Sequence, residues 1–204
     1  MAHLYMIRHG ETEYNRKGIV QGGGIDADLN EKGRSQGKAF FDYYRDTEFD
    51  KVYCTGLKRT YQTVQFFEEL GKEIIVVPEL NEFGWGIMEG VEGSKEVRAE
   101  FDRILTAWKK GDLDAKVPEG ESPIEAWARA QVGINRIVAE NQGDTKVLVC
   151  SHGRIMRVFL SQMLGYGLDR MDLFPHTNTA LNLVQTLSGG KFRAEKLNDL
   201  SHLQ

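Results

Sequence analysis

Short apolar segments alternate with amphipathic stretches of helical spacing along the whole chain, and this alternation restricts the fold more than any other feature. Four of the apolar segments have the length and composition of strands, at residues 3–7, 51–54, 73–77 and 146–150. Residues 180–187 and 192–197 flank Ser188-Gly189-Gly190 and predict a terminal hairpin. Strands that alternate with helices predict a layered α/β domain with a mostly parallel sheet.

Signals that start and end helices lie between the predicted strands. Ser122-Pro123-Ile124-Glu125 joins a capping box to a proline at the first helical position, which is a strong start signal. Other predicted helix starts are at Asn30, Thr55, Ser94 and Gly153. Gly71 and Gly111 are predicted to end two helices, because glycine readily adopts the left-handed conformation found there. No linker interrupts the pattern, so we expect one domain over residues 1–204.

Charge and hydropathy exclude several classes of protein. The chain carries 26 Lys and Arg against 30 Asp and Glu, a net charge of −4, so it lacks the basic surface of a general nucleic-acid binder. Its apolar runs are short, whereas a membrane-spanning helix needs about 20 residues and the core of a signal peptide at least about 7. We therefore expect a soluble, cytoplasmic protein with no nucleic-acid or membrane partner. Cys54 and Cys150 each end an apolar stretch, which predicts two buried thiols.

Reactive side chains follow all four of the predicted parallel strands. Arg8-His9-Gly10 follows the first strand, and Ser151-His152-Gly153 follows the last. Arg59 follows the second strand, in the first turn of a predicted helix, and Glu82 follows the third. Ligands of such sheets bind beyond the carboxyl ends of the strands. Two histidines, two arginines and a carboxylate are therefore predicted to converge at one edge of the sheet.

These residue types suit the transfer of a phosphoryl group. The planar guanidinium groups of Arg8 and Arg59 match the oxygens of a phosphate, and nearby helix N-termini add N–H donors. Fixed cations discourage the protonation of a neighbouring histidine, and a neutral imidazole is a nucleophile. A nearby carboxyl group can protonate a leaving oxygen and then deprotonate water. The set predicts phosphoryl transfer through a phosphohistidine.

A metal site is the main rival for clustered histidines and a glutamate. Two arginines beside the ligands would repel a cation. The sequence also contains neither an HExxH motif nor paired cysteines at ligand spacing. We therefore expect neither a metal nor an organic cofactor.

Several segments together resemble one family. Leu4-Tyr5-Met6-Ile7-Arg8-His9-Gly10-Glu11-Thr12-Glu13-Tyr14-Asn15 resembles the signature of the histidine phosphatase superfamily, which includes cofactor-dependent phosphoglycerate mutases and many small phosphomonoesterases. The resemblance continues at Gln21-Gly22, residues 26–29, residues 55–63, Glu82, Gly86, Glu89, Gly90, residues 120–122 and residues 149–153. The chain departs from the family where Asp28 and Asn30 replace a frequent Pro and Thr. Three consecutive glycines from Gly22 also predict a pliable loop at the substrate entrance.

The resemblance implies a three-layer α/β/α sandwich of the phosphoglycerate mutase type, and it implies a role for each matching residue. His9 would be the phosphorylated nucleophile and Glu82 the proton donor. The phosphoryl oxygens would be held by Arg8, Arg59 and His152. The phosphate and leaving-group pocket would be lined by Asn15, Gln21, Gly22 and the Gly153 backbone. The expected partner is a small phosphorylated metabolite, and homo-oligomerisation stays open.

We favour a metal-independent phosphatase over three alternatives. A phosphoglycerate mutase would form the same phosphoenzyme, but family mutases carry an insertion between the acid and the second histidine, and the interval from Glu82 to His152 is short. A non-catalytic phospholigand-binding protein would be expected to lack His9 or Glu82, and both are present. Ser35 lies in the G-x-S-x-G pattern of serine hydrolases, but no predicted strand precedes it.

Two further aromatic residues and two long segments have open interpretations. Trp85 either stacks on a substrate or anchors a loop. His176 lies in an irregular stretch before Asn178 and could approach the site, but it is expected at the surface. Residues 80–93 and 112–120 are predicted to form either a cap over the site or surface loops.

Overall fold

The computed structural model describes residues 1–93 and 95–204, which contain a six-stranded sheet. Its strands are β1 (Ala2–Arg8), β2 (Lys51–Cys54), β3 (Ile74–Val76), β4 (Thr145–Ser151), β5 (Leu181–Thr186) and β6 (Phe192–Asp199). The strand order is β3-β2-β4-β1-β5-β6. β1 to β4 run parallel, and β5 and β6 pair antiparallel. The prediction of a mostly parallel sheet with a terminal hairpin is confirmed.

Helices cover both faces of the sheet. They are α1 (Glu13–Lys17), α2 (Glu31–Tyr44), α3 (Lys58–Val64), α4 (Lys95–Lys109), α5 (Pro123–Glu140) and α6 (Gly153–Met163). Alternate residues of a strand point to opposite faces. In β1, Leu4 and Met6 belong to the core formed with α4, α5 and α6, whereas Ile7 belongs to the core formed with α2 and α3. The chain is therefore the predicted three-layer α/β/α sandwich. Among the helices of the described residues, none combines the length and apolar composition needed to cross a membrane.

Three of the five predicted helix starts are confirmed. Ser122 caps α5 with the predicted capping box, Asn30 caps α2, and Gly153 opens α6. The prediction for Thr55 is wrong, since α3 begins after Leu57, and its first backbone N–H, that of Lys58, donates to Asp26 Oδ1 at 2.7 Å. Thr55 lies two residues before the N-cap position, and its hydroxyl accepts from Leu57 N at 3.3 Å and from His152 Nε2 at 2.8 Å. Ser94 lies outside the described residues, and α4 is described from its next residue onward.

The cysteines and the serine of the hydrolase-like pattern lie in structural positions. Cys54 and Cys150 are buried free thiols, as predicted. Ser35 lies inside α2, where its hydroxyl donates to the Glu31 carbonyl. The residues that lead into α2 form a loop and not a strand, so the pattern is not a nucleophile elbow.

The two long segments between β3 and β4 contact each other. Trp85 and Gly120, one from each segment, form an isolated β-bridge. Trp85 is 4% exposed and packs against three aromatic rings, those of Phe83, Phe101 and Trp108. This packing supports loop anchoring, and Trp85 also lines the cavity beyond the strand ends, so a contact with a ligand stays open.

The carboxyl ends of β1, β2 and β4 open to the same edge of the sheet. In the β1–β4 ladder Arg8 lies opposite Ser151, and His9 N extends the ladder by donating to Ser151 O at 2.9 Å. From β1 the chain crosses one face toward β2, and from β4 it crosses the other face toward β5. This change of direction leaves a crevice beyond the strand ends, where open α/β sheets bind ligands.

Candidate active site

A cavity of about 180 Å³ lies beyond these strand ends. Eight of the nine residues that the sequence placed at the site line it: Arg8, His9, Asn15, Gln21, Gly22, Arg59, Glu82 and Gly153. The ninth, His152, is fully buried, and its ring centroid lies 5.2 Å from that of His9. The fold thus brings all nine predicted residues together.

His9 is fixed as one tautomer. Its side chain is buried, and its Nδ1 lies 2.7 Å from the carbonyl oxygen of Gly10. A carbonyl oxygen only accepts, so Nδ1 carries the proton and Nε2 keeps its lone pair. Burial and the positive charges of Arg59 and Arg8 hold the pKa of His9 well below its ordinary value. The ring is therefore neutral at physiological pH, with Nε2 as its nucleophilic atom.

His152 has the opposite tautomer. Arg59 Nε donates to His152 Nδ1 at 3.2 Å, so Nε2 carries the proton and donates to Thr55 Oγ1 at 2.8 Å. Thr55 Oγ1 lies 3.0 Å from Thr60 Oγ1, and Thr60 donates to the Leu57 carbonyl at 2.8 Å. Hydrogen bonds therefore run from His152 through the hydroxyl groups of Thr55 and Thr60 to the Leu57 carbonyl. Burial and the charge of Arg59 hold the pKa of His152 well below its ordinary value.

Arg59 is completely buried and connects three parts of the chain. Besides its bond to His152, it donates to Ile25 O at 2.7 Å and to Gly22 O at 3.0 Å. These contacts use three of the five guanidinium N–H groups, which leaves two for a ligand in the cavity. Burial lowers the pKa of Arg59, but a guanidinium group remains charged at neutral pH.

The glycine-rich loop that Arg59 holds is also attached to the segment beyond β3. Gly22 has a φ of +63°, and a Cβ at this position would collide with the Glu89 carboxylate. Glu89 accepts from Gly24 N and from Trp85 N, each at 2.9 Å. The loop that its sequence predicted to be pliable is therefore held by Arg59 on one side and by Glu89 on the other.

Arg8 reaches the cavity from the end of β1. Its Nη1 donates to His176 O at 2.7 Å, and its buried Nε has no partner among the described residues. A Cβ at Gly153 would lie 3.3 Å from Arg8 Nε and from the His176 ring, so glycine leaves room for both. Burial lowers the pKa of Arg8 to about 10, which keeps it cationic at neutral pH. Burial and the charge of Arg8 lower the pKa of His176 to about 3, which keeps that ring neutral.

The Glu82 carboxylate is held at the start of α6. Its Oε1 accepts from Phe83 N at 2.8 Å and from Ile155 N at 2.9 Å, and its Oε2 accepts from Arg154 N at 3.2 Å. The last two donors belong to the first turn of α6, where backbone N–H groups lack partners within the helix. These bonds give the carboxylate a fixed position on the cavity wall.

Two side-chain amides complete the polar wall. Asn15 Oδ1 lies 3.3 Å from Thr12 N and 3.3 Å from Asn178 Nδ2, and it accepts from both. Its NH₂ group is thereby turned away from these two donors. The Gln21 amide lies 2.6 Å from Thr12 Oγ1, and its remaining terminal atom is buried without a partner among the described residues.

Several site residues were not identified from the sequence. His176 was expected at the surface, but it lines the cavity, and Arg154 lines it as well. Asn178 donates to His9 O at 2.9 Å. His176 and Asn178 reach the site because β5 runs antiparallel to β1, so that the residues before β5 lie at the carboxyl end of β1. A long-range pairing of this kind leaves no local signal in the sequence.

The cavity combines positive charge with a neutral nucleophile. Arg8 and Arg59 supply N–H donors that suit the oxygens of a phosphate dianion. Within residues 1–93 and 95–204, no group of three His, Cys, Asp or Glu side chains is arranged to hold a metal ion. The geometry is therefore suited to a phosphorylated ligand that is bound through guanidinium groups.

Comparisons with known proteins identify one family. The model of the histidine phosphatase superfamily (branch 1) matches residues 4–200. A Schizosaccharomyces pombe protein named "Probable phosphatase C1687.21" is 27% identical, across 98% of this chain and 95% of its own length. An Arabidopsis thaliana protein named "Phosphoglycerate mutase-like protein 4" is 26% identical, across 100% of this chain and 87% of its own length.

Solved structures share the fold. Bacillus stearothermophilus YhfR has a TM-score of 0.86 and 24% identity, with 100% of both chains covered. A mycobacterial glucosyl-3-phosphoglycerate phosphatase solved with VO3 has a TM-score of 0.83 and 23% identity, with 96% of this chain and 98% of that chain covered. Because the identities are low, this likeness shows the architecture alone.

The protonation of His9 can be tested directly. Because burial and two arginines oppose protonation, ¹⁵N NMR should show His9 still neutral and protonated on Nδ1 only at pH values where the histidines of the unfolded chain, with a pKa of about 6.5, are already charged. The unfolded state then binds protons that the folded state does not, so the free energy of unfolding falls as pH drops below about 6.5. Below that pH, each histidine that is buried and neutral lowers the free energy of unfolding by up to about 1.4 kcal/mol per pH unit. A His9→Gln variant should lose less stability than the parent between pH 7 and 5. Titration of His9 near 6.5 in the folded protein would contradict this account.

Proposed function

The chain belongs to the histidine phosphatase superfamily, branch 1, and on this premise we propose that it is a metal-independent phosphatase that hydrolyses phosphomonoesters through a phosphohistidine. The observation that carries the proposal is a neutral His9, protonated on Nδ1, in one cavity with Arg8 and Arg59. This arrangement keeps the nucleophile uncharged in the positive field that attracts a phosphate.

In the first step, His9 Nε2 forms a bond to phosphorus as the bond to the leaving oxygen breaks. Glu82 in its protonated form gives its proton to that oxygen. The bond from Nδ1–H to the Gly10 carbonyl stabilises the ring as it becomes positive. Arg8 and Arg59 bind the phosphoryl oxygens, over which negative charge is spread in the transition state.

In the second step, water attacks the phosphohistidine and Glu82, now a carboxylate, takes the proton from that water. The products are inorganic phosphate and neutral His9. The backbone N–H groups of Arg154 and Ile155 hold the carboxyl group of Glu82 in the same place for both steps.

Further donors are available for the phosphoryl oxygens. A half-turn of the Gln21 amide would let the Thr12 hydroxyl donate to its oxygen, and the 2.6 Å separation suits an O–H···O bond. The Gln21 NH₂ group would then be free to donate to a phosphate in the cavity that Gln21 and Arg8 both line. The predicted contact of His152 with a phosphoryl oxygen would require a proton on Nδ1, the atom that accepts from Arg59 in this structure.

The expected substrate is a small phosphorylated metabolite, and two arginines supply the positive charge that a divalent metal supplies in other phosphatases. Phosphoglycerate mutase activity is the alternative, because some relatives carry that name. The short interval between Glu82 and His152 favours water over a sugar-acid as the acceptor of the phosphoryl group.

The acceptor can be identified with 3-phosphoglycerate and a 2,3-bisphosphoglycerate primer, in buffer containing EDTA. We expect phosphate release to exceed isomerisation, and we expect chelation to leave the rate of release unchanged. Phosphate release is measured colorimetrically and isomerisation by NMR. Efficient isomerisation with negligible release would make the chain a mutase, and loss of activity that a divalent ion restores would refute metal independence.

Removing the nucleophile should abolish both turnover and the intermediate. We expect His9→Ala to lower kcat by about 10⁴- to 10⁶-fold, as the loss of a covalent nucleophile does elsewhere. Acid-labile, base-stable ³²P should be trapped on the parent protein at His9 and not on the variant. His3→Ala, which changes a histidine near the opposite end of β1, is the matched control and should keep full activity. Full turnover by His9→Ala would exclude the covalent mechanism.

The Arg59→Ala and Glu82→Gln variants should lose activity with different dependence on the substrate. Arg59→Ala removes a transition-state donor and should lower kcat by about 10²- to 10³-fold on every ester. Glu82→Gln removes a proton donor, so its defect should shrink when the leaving alcohol is more acidic. The measurement compares an alkyl phosphate with p-nitrophenyl phosphate in both variants, with burst kinetics to confirm that phosphoenzyme formation limits the rate. Equal losses on both substrates in Glu82→Gln would remove Glu82 from the acid role.

A further inference from the structure

Three cations share one carboxylate beside the cavity that contains His9. Arg154 Nη1 and Arg157 Nη1 donate to Asp172 Oδ1 at 2.6 Å and 2.5 Å. Lys109 Nζ lies 3.7 Å from the other oxygen of the same carboxylate. Three positive charges against one negative charge leave this group of side chains with a net charge of +2. Positive charge is therefore in excess on this side of the cavity.

Arg154 is the member of this group that lines the cavity. It is 8% exposed, and its guanidinium lies 5.7 Å from the ring centroids of both Trp85 and Trp108. These cation–π contacts and the bond to Asp172 hold the planar group in one place. The bond to Asp172 uses one N–H group, and the other guanidinium N–H groups have no acceptor among the described residues. Arg154 therefore has unused donors in a fixed position.

Arg154 also lies beside the proposed proton donor. Its backbone N donates to Glu82 Oε2 at 3.2 Å, and both residues line the cavity. In the mechanism proposed above, Glu82 protonates the leaving oxygen, whereas Arg8 and Arg59 bind the phosphoryl oxygens. We therefore expect the unused donors of Arg154 to be available on the side of the cavity that receives the leaving alcohol.

The charges that line the cavity do not balance when a simple phosphate ester is bound. Of the described residues, the charged ones that line it are Arg8, Arg59, Arg154 and Glu82. A phosphate dianion offsets the charges of Arg8 and Arg59, and Glu82 is neutral when it serves as the acid. Arg154 then keeps positive charge, because it shares Asp172 with two further cations. A buried charge of this kind is stabilised when an anion accepts hydrogen bonds from it.

We propose that Arg154 forms a second anion-binding subsite, which takes a carboxylate or a second phosphate carried by the leaving group of the substrate. The inference rests on the phosphatase function proposed above and names its substrate class, phosphomonoesters of alcohols that carry a further negative charge. It follows from the excess positive charge around Asp172, from the unused donors of Arg154 and from their position beside Glu82. A planar guanidinium group suits both anions, because its paired N–H groups match the oxygens of a carboxylate and of a phosphate.

Esters of one carbon skeleton that differ only in the group at the far end test the inference. The neutral ester is 1,3-propanediol monophosphate, and the anionic esters carry a carboxylate or a second phosphate in place of its free hydroxyl group. The same set is made from 1,5-pentanediol, so that the distance between the two groups also changes. We expect kcat/KM per phosphate group to be about 10- to 100-fold higher for an anionic ester than for the neutral one, as for a hydrogen bond to a charged partner. The carboxylate and bisphosphate esters show which of the two anions the subsite accepts.

A pair of arginine variants locates the effect. Arg154→Met removes the charge and keeps an unbranched side chain, and it should bring the ratio of anionic to neutral kcat/KM down to about one. Arg157→Met is the matched control, because Arg157 donates to the same oxygen of Asp172 from the same helix, α6, but does not line the cavity. This control should keep most of the parent ratio. Because the ratio compares two substrates of the same protein, partial unfolding of a variant does not alter it.

The outcomes separate the two proposals. A ratio near one in the parent protein, for both skeletons and both anions, would overturn the subsite and leave the phosphatase function intact. A preference for anionic esters that survives Arg154→Met would overturn it too, and so would equal losses in Arg154→Met and Arg157→Met, which would assign the preference to the general positive field. If no ester is hydrolysed, p-nitrophenyl phosphate included, the phosphatase function itself fails and the inference falls with it.

Discussion

The parallel pairing of β1 with β4 is the constraint on which the site depends. Their register sets Arg8 opposite Ser151, and the ladder continues through the bond from His9 N to Ser151 O. A histidine directly follows each strand, so the sheet itself places the rings of His9 and His152 side by side. A slip of one residue in this register would turn one histidine toward the opposite face, because side chains alternate along a strand.

The buried positive charge of Arg59 beside these rings influences their protonation. A buried guanidinium loses its hydration, and Arg59 recovers part of it through the carbonyl groups of Gly22 and Ile25 and through His152 Nδ1. Burial and this charge together oppose protonation of both histidines. The Gly10 carbonyl and Arg59 Nε then decide which nitrogen of each neutral ring carries the proton. In the mechanism proposed above, Arg59 therefore has two effects, since the guanidinium group that would bind phosphate also helps to keep the His9 ring neutral.

Much of this arrangement could be predicted from the sequence, because strand ends and helix starts leave local signals. Apolar runs located β1 and β4, and the residues directly after them proved to meet in one cavity. Thr55 shows where local reasoning fails. α3 begins two residues later than Thr55, where Asp26, which is distant in sequence, accepts from Lys58 N, and the Thr55 hydroxyl also bonds to His152, which the β2–β4 pairing brings to it. His176 was missed for a related reason, since the antiparallel position of β5 beside β1 is set by the whole sheet.

The attachment of the glycine-rich loop has a consequence for how a ligand would be received. Glycine gives the backbone more conformational freedom than any other residue, and a loop that is mobile before binding loses that freedom on binding. Here Arg59 and Glu89 restrict residues 22–25 in the folded protein itself. The entropy of ordering is thus lost during folding and not at each encounter with substrate. The three glycines serve close approach of the backbone to its neighbours, and we expect substrate to meet an entrance that is already ordered.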